Sequence, residues 1–214
     1  MKVIITGSTG MAGEGVLLEC LQNENVSSVL SISRKPCGIE HARLKELIVP
    51  DFMKLQEFET EVAGYDACFY CAGISSVGMK ETRYHHITYD TTIAFASVLS
   101  KVNPNMVFCY ITGSGTDSTE RGRIMWARVK GKTENALMKM PFAKAYNFRP
   151  AAMLPVADQK NVIKLYVVIA KLIKFFAPSG VLTLQELGKA MIHAVTRRPS
   201  KQILEVKDIR SLSK

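Results

Sequence analysis

The chain opens on a short β-branched run, Lys2–Thr6, that passes at once into Thr6-Gly-Ser-Thr-Gly-Met-Ala-Gly13, with glycines at 7, 10 and 13. No other stretch restricts the fold so tightly. A run of that composition closed by glycine suits a buried strand. An apolar pattern from about Met11 to Leu21, with Val16, Leu17, Cys20 and Leu21 on one side, predicts a helix directly after the turn. In a strand–turn–helix unit each glycine has its own task. Gly7 allows the sharp turn, Gly10 lets backbone N–H groups approach a phosphate, and Gly13 lets the helix pack close to the strand. The helix N-terminus adds unpaired N–H donors and partial positive charge. Gly7, Ser8, Thr9, Gly10, Met11, Ala12 and Gly13 are therefore expected to hold the pyrophosphate of a dinucleotide.

Further strands are expected at Val29–Ser33, Leu47–Val49, Asp66–Cys71, Met106–Thr112 and Ala143–Phe148. Long helices are expected from about Thr82 to Lys101 and over roughly Arg123–Met140. Strands alternating with helices call for a parallel sheet covered on both faces. Right-handed crossovers then give an α/β, doubly wound, Rossmann-type sheet with strand order 3-2-1-4-5-6. From about Ala151 the chain reads as helical, with one late strand at Ile203–Val206. There Thr183 and Glu186 fit a capping box that starts a helix to about Thr196. The 214 residues suffice for one well-buried dinucleotide-binding domain, with a Rossmann core at 1–150 and a small C-terminal helical cap at 151–214.

The choice of dinucleotide turns on the end of the second strand, where an acidic residue would hold the ribose hydroxyls of NAD. Ser33-Arg34-Lys35 stands there instead, offering a hydroxyl and two cations to a 2′-phosphate. NADP(H) is the expected cofactor and NAD(H) the alternative. Asp51 and Phe52, just past the third strand, are candidate adenine contacts.

With these residues in place the chain resembles the short-chain dehydrogenase/reductase superfamily, in particular its atypical branch of small NAD(P)H-binding proteins. TGSTGMAG matches the TGxxGxxG pattern of that group. Asp66-Ala-Cys-Phe-Tyr-Cys-Ala-Gly73 is similar to its fourth strand and following turn, which implies that Cys71, Ala72 and Gly73 run along the adenine ribose. Phe148-Arg-Pro150 with Leu154 resembles a stretch near the nicotinamide, which implies cofactor contacts for Arg149 and Pro150. Trp126-Ala-Arg-Val-Lys130 falls where the family carries YxxxK, and Ser114 or Thr112 where it carries a serine. In that family the tyrosine moves the proton, and the lysine lowers its pKa and holds the nicotinamide ribose. Spacing of four places both on one helix face. Here the tyrosine position is Trp126, whose indole N–H donates a hydrogen bond but is no acid at neutral pH. Lys130 remains.

Two functions compete. In one, the chain is an oxidoreductase of a small, flat or anionic substrate, with Lys130, Ser114, Thr112 and Trp126 around the chemistry. Tyr84, Tyr89, the Lys130 ammonium or a water then serves as the acid. In the other, it is a non-catalytic NADP(H) sensor or regulatory module. The cap is too short for a large sugar-binding domain, which disfavours nucleotide-sugar epimerisation.

Five cysteines and an opening run too short for an export signal predict reduced thiols and a cytoplasmic protein. Cys68 and Cys71, three apart on a strand, face opposite ways, and no metal site is expected. The net charge of +9 attracts phosphate, yet no nucleic-acid signature accompanies it. Arg121, Arg123, Arg128, Lys130 and Lys132 crowd one helix entrance, either steering an anion or forming a solvated face. Lys160, Lys164, Lys171 and Lys174 form a narrow stripe on an otherwise apolar segment. That segment is expected to be packed within the fold, with homodimerisation as a further use and membrane contact least favoured.

Overall fold

The expected order of strands is the one the chain adopts, with a seventh added at one edge. The computed structural model describes residues 1–162, 164–176 and 178–214. Its elements begin with β1 (Lys2–Thr6), α1 (Met11–Gln22), β2 (Ser28–Ser33) and β3 (Leu44–Ile48), then a 3-10 segment and α2 (Glu59–Val62). There follow β4 (Ala67–Tyr70), α3 (Glu81–His85), a π turn (His86–Asp90), α4 (Thr91–Val102), β5 (Val107–Ile111), α5 (Met125–Leu137) and β6 (Lys144–Arg149). The remainder comprises β7 (Ala152–Leu154), α6 (Lys164–Phe176), β8 (Val181–Thr183), α7 (Leu184–Arg197), β9 (Ile203–Glu205) and α8 (Val206–Leu212). The sheet runs β3-β2-β1-β4-β5-β6-β9, parallel throughout.

Side chains alternate between two cores, as period-two geometry requires. Val3 and Ile5 of β1 pack with Val16 and Leu17 of α1 and Leu187 and Met191 of α7. Ile4, on the opposite face, joins Leu30, Tyr70, Phe95, Leu99 and Phe108. Burial on both faces explains why the inner strands read as continuous apolar runs. β3 lies at the edge with Lys45, Glu46 and Ile48 exposed. An edge strand needs little apolar content, which is why it begins at Leu44 rather than at the expected Leu47.

The C-terminal part is mainly helical, with α6, α7 and α8, and holds the expected late strand as β9. β9 pairs with β6, and α7 packs on α1 within the main core. The layered body therefore continues past residue 150; β7 and β8 lie outside the main sheet, but Leu182 of β8 is buried in the same core as α1 and α7. β7 and β8 pair with each other in parallel; at three residues each they are too short to show a period. The capping box forms: Thr183 Oγ1 accepts from Glu186 N–H at 3.0 Å and Glu186 Oε2 from Thr183 N–H at 2.7 Å. The lysine-striped segment is α6. Its Tyr166 and Ala170 face inward, while Val168 and Leu172 are 56% and 58% exposed, so it is not covered on most sides. The side chains of Lys164 and Lys171 lie outside the described residues.

Candidate functional site

Two clefts open at the carboxyl ends of the strands, the edge at which doubly wound sheets bind ligands. The first, about 410 Å³, lies over the ends of β1, β2 and β4. Gly7 turns with φ +73°, in the region that favours glycine. A Cβ on Gly13 would sit 2.1 Å from the Gly7 carbonyl oxygen, so the helix is pressed against the turn. A Cβ on Gly10 would meet nothing nearer than 3.5 Å, which leaves the space above it open to the cleft. Gly10 caps α1, and among the described residues no side chain bonds the first-turn N–H groups. Open space over Gly10 beside uncapped N–H donors fits a pyrophosphate. Thr6 Oγ1 accepts from the N–H groups of Cys71 and Ala72, both at 3.1 Å, and ties the turn after β4 to the glycine turn.

Thr9, Gly10, Ser33, Arg34, Asp51, Phe52, Cys71, Ala72 and Gly73 all reach this cleft with Gly7. Arg34 is exposed at the end of β2. Other expected contacts behave differently. The Ser8 hydroxyl is buried against Ser31 Oγ at 2.7 Å, leaving only its backbone for a ligand. Met11 and Ala12 pack their side chains on the core. Ser33 Oγ donates to the Lys35 carbonyl at 2.5 Å, and Lys35 is not on the cleft wall. Asp51 accepts from Met53 N–H at 2.9 Å and caps the segment after it. His86, Ile87 and Thr91 complete the wall, delivered by a π turn that a helical period does not reveal. Asp90 lies 3.4 Å from both His85 and His86.

The second cleft, about 490 Å³, is lined by Thr112, Gly113, Ser114, Trp126, Pro150, Met153 and Tyr166 among others. Trp126 packs its ring over Gly113 and Gly115. One turn further along α5, Lys130 Nζ donates to the Thr112 carbonyl at 2.6 Å. Burial pushes its pKa down to about 8, against the opposing pull of Glu134. Between about pH 8 and the usual lysine value of 10.5 the unfolded chain therefore binds more protons than the folded one. Stability relative to a Lys130→Met variant should rise with pH across that window, because folding no longer buries a charge. Denaturant titrations of both chains at several pH values check the slope.

Two expected site residues do not act as foreseen. The Thr112 hydroxyl is buried and donates to Glu134 Oε1 at 2.6 Å, so it is not free for a substrate. Arg149 is buried away from both clefts, where its Nε donates to Glu134 Oε1 at 3.0 Å and its terminal nitrogens bond Glu205 and Ser118. Glu134 is 0% exposed, and a buried carboxylate needs that cation. Pro150 alone of the pair reaches the cleft. Tyr84 is buried, and Tyr89 lies between the His85 ring at 4.8 Å and Lys132 at 4.6 Å; neither lines the second cleft. The basic cluster is dispersed: Arg128 grips Glu81 at 2.8 and 2.9 Å, and Lys132 sits by His85.

Two contributors escaped sequence reasoning. Tyr166 enters the second cleft from α6, in a segment whose periodicity shows only a lysine stripe. Glu14, buried in the first turn of α1, accepts from the N–H groups of Lys160 and Asn161 at 2.8 and 2.6 Å. Gln159 Nε2 donates to the Met11 carbonyl at 2.6 Å, so this segment is tied to the first turn of α1. All five thiols are free.

A model of the NAD dependent epimerase/dehydratase family matches residues 3–119. The leucinostatins biosynthesis cluster protein T of Purpureocillium lilacinum is 28% identical over 145 residues, 65% of this chain and 52% of that protein. Protein FMP52-2, mitochondrial, of Scheffersomyces stipitis is 26% identical over 153 residues, 70% of this chain and 65% of that protein. The chain thus spans about half to two-thirds of the length of these relatives. The mitochondrial designation of FMP52-2, shared by FMP52 of Kluyveromyces lactis, conflicts with the expected cytoplasmic location, which does not stand. Among solved structures, yeast methylglyoxal/isovaleraldehyde reductase Gre2 with NADPH superposes with TM-score 0.72 at 13% identity, covering 96% of this chain and 77% of that one. Bordetella bronchiseptica WbmF with NAD+ gives 0.68 at 12%, covering 99% and 76%. At such identities the likeness is one of fold.

Proposed function

The chain belongs to the NAD dependent epimerase/dehydratase family, and from that premise we propose that it is an NADP(H)-dependent reductase of a small uncharged substrate. The observation that carries the reading is the second cleft, set beside Lys130 at the end of β5. Among the described residues no charged side chain lines that cleft, which favours a neutral substrate over an anionic one. Its volume of about 490 Å³ is in the range of small-molecule sites.

In this reading Gly7, Thr9, Gly10 and the first turn of α1 hold the pyrophosphate. Arg34 pairs with the 2′-phosphate, and Lys130, whose ammonium already reaches the Thr112 carbonyl, holds the nicotinamide ribose. The nicotinamide, when bound, supplies hydride chemistry. Trp126 forms part of the cleft wall. Trp126 also keeps alive the second reading, a binding module without turnover, because the family's acid is missing from α5.

Titration with NADPH and NADH separates the cofactors. Arg34→Asp should weaken NADPH binding roughly ten- to a hundredfold and leave NADH binding nearly unchanged. A variant that keeps its NADPH preference would remove the basis for assigning NADP(H). Consumption of NADPH with uncharged aldehydes and ketones tests the reductase itself; tight binding with no turnover selects the module.

A further inference from the structure

Trp126 leaves α5 without an acid, but the same cleft is also lined by a phenol. Resting on the reductase reading above, we infer that Tyr166, delivered from α6, donates the proton that the substrate carbonyl oxygen takes up on reduction.

The hydroxyl of Tyr166 is positioned by the backbone. Its oxygen accepts from the Met153 N–H at 3.0 Å. The phenol hydrogen is not consumed in that bond, and among the described residues nothing accepts it. The same N–H faces the oxygen on which negative charge develops as the proton leaves, a preorganised donor of the kind that stabilises an oxyanion. The other candidates are occupied or misplaced. The Thr112 hydroxyl is held by Glu134, Tyr84 is buried elsewhere and Tyr89 lies tilted against the His85 ring. An indole N–H is no acid.

The step balances with NADPH as reductant and an uncharged aldehyde or ketone as oxidant. A hydride from the nicotinamide forms a C–H bond at the carbonyl carbon. The C=O π pair moves to oxygen and takes the Tyr166 proton, leaving NADP+, an alcohol and a phenolate that regains its proton from solvent through the open cleft. The donor thus comes from α6, whereas Lys130 is carried by α5.

The experiment compares the full-length wild type with Tyr166→Phe, using benzaldehyde and a short series of alkyl and aryl ketones. Trp126 is the only tryptophan, so energy transfer from it to bound NADPH reports cofactor affinity without turnover. The expected result is NADPH affinity within twofold of wild type and a kcat lower by about 100-fold or more. The pH dependence of kcat should flatten in the variant. Wild-type turnover with Tyr166→Phe within threefold of it overturns the donor and leaves the reductase standing. So does a slower variant that keeps the wild-type pH profile, since Tyr166 then only shapes the cleft. A wild type that binds NADPH but reduces none of the probes overturns both.

Discussion

Arg149→Met should unfold at a temperature roughly 10 °C below the wild type. Arg149 is the sole cation that Glu134 meets in a bidentate bond among the described residues, and Glu134 has no exposed surface. Removing one partner of a buried pair strands the other charge, at a cost of about 3–5 kcal/mol. For a chain of this size each kcal/mol corresponds to roughly 2–4 °C in Tm. The same change releases Glu205 and Ser118, so the ends of β6 and β9 lose a cross-link. The double variant Glu134→Met, Arg149→Met carries no stranded charge and should recover much of the loss. Calorimetry on the three chains decides. A single variant that melts within about 2 °C of wild type would mean that Glu134 finds another partner, for which Lys130 is nearest at hand.

The second large effect separates two glycines three positions apart. Gly13→Ala drives a Cβ to within 2.3 Å of two backbone atoms of Gly7, neither of which belongs to a flexible side chain. Overpacking of this kind costs about 1–3 kcal/mol when side chains can yield, and here the turn itself must move. Both stability and cofactor affinity should fall. Gly10 is different. Its φ of −116° suits any residue, and an added methyl meets no protein atom nearer than 3.5 Å. Gly10→Ala should therefore fold with unchanged or slightly raised stability while binding NADPH at least about tenfold more weakly, since the methyl occupies the space a pyrophosphate needs. Unchanged binding by Gly10→Ala would mean that the phosphates do not pass over this residue.

What could be read from the sequence was what local chemistry determines. The glycine turn, the buried strands and the Thr183 capping box each announce themselves within a few residues, because backbone conformation and period-two burial are local properties. Strand order followed from handedness rules rather than from any residue. Arg149 shows where such reading stops: its neighbour Pro150 reaches the cleft, but its own partner, Glu134, lies on another element, and no spacing reveals the pairing. Ser8 failed similarly, since one turn position points its side chain inward to Ser31. β7 and β8 are too short to carry a pattern, and the π turn at His86–Asp90 breaks the period used to find helices. Tyr166 has no local signal of its own, because its segment shows only a lysine stripe and the cleft it reaches is built from other elements.

Glu14 stands where the segment that precedes α6 meets the first turn of α1. Glu14 puts a negative charge into the first turn of the very helix that would receive an anion, and two backbone N–H groups from the segment leading into α6 engage it. Left without those donors, a buried carboxylate at the anion-binding end of α1 would oppose a pyrophosphate and lie unsatisfied; the two N–H groups are what let Glu14 occupy that position.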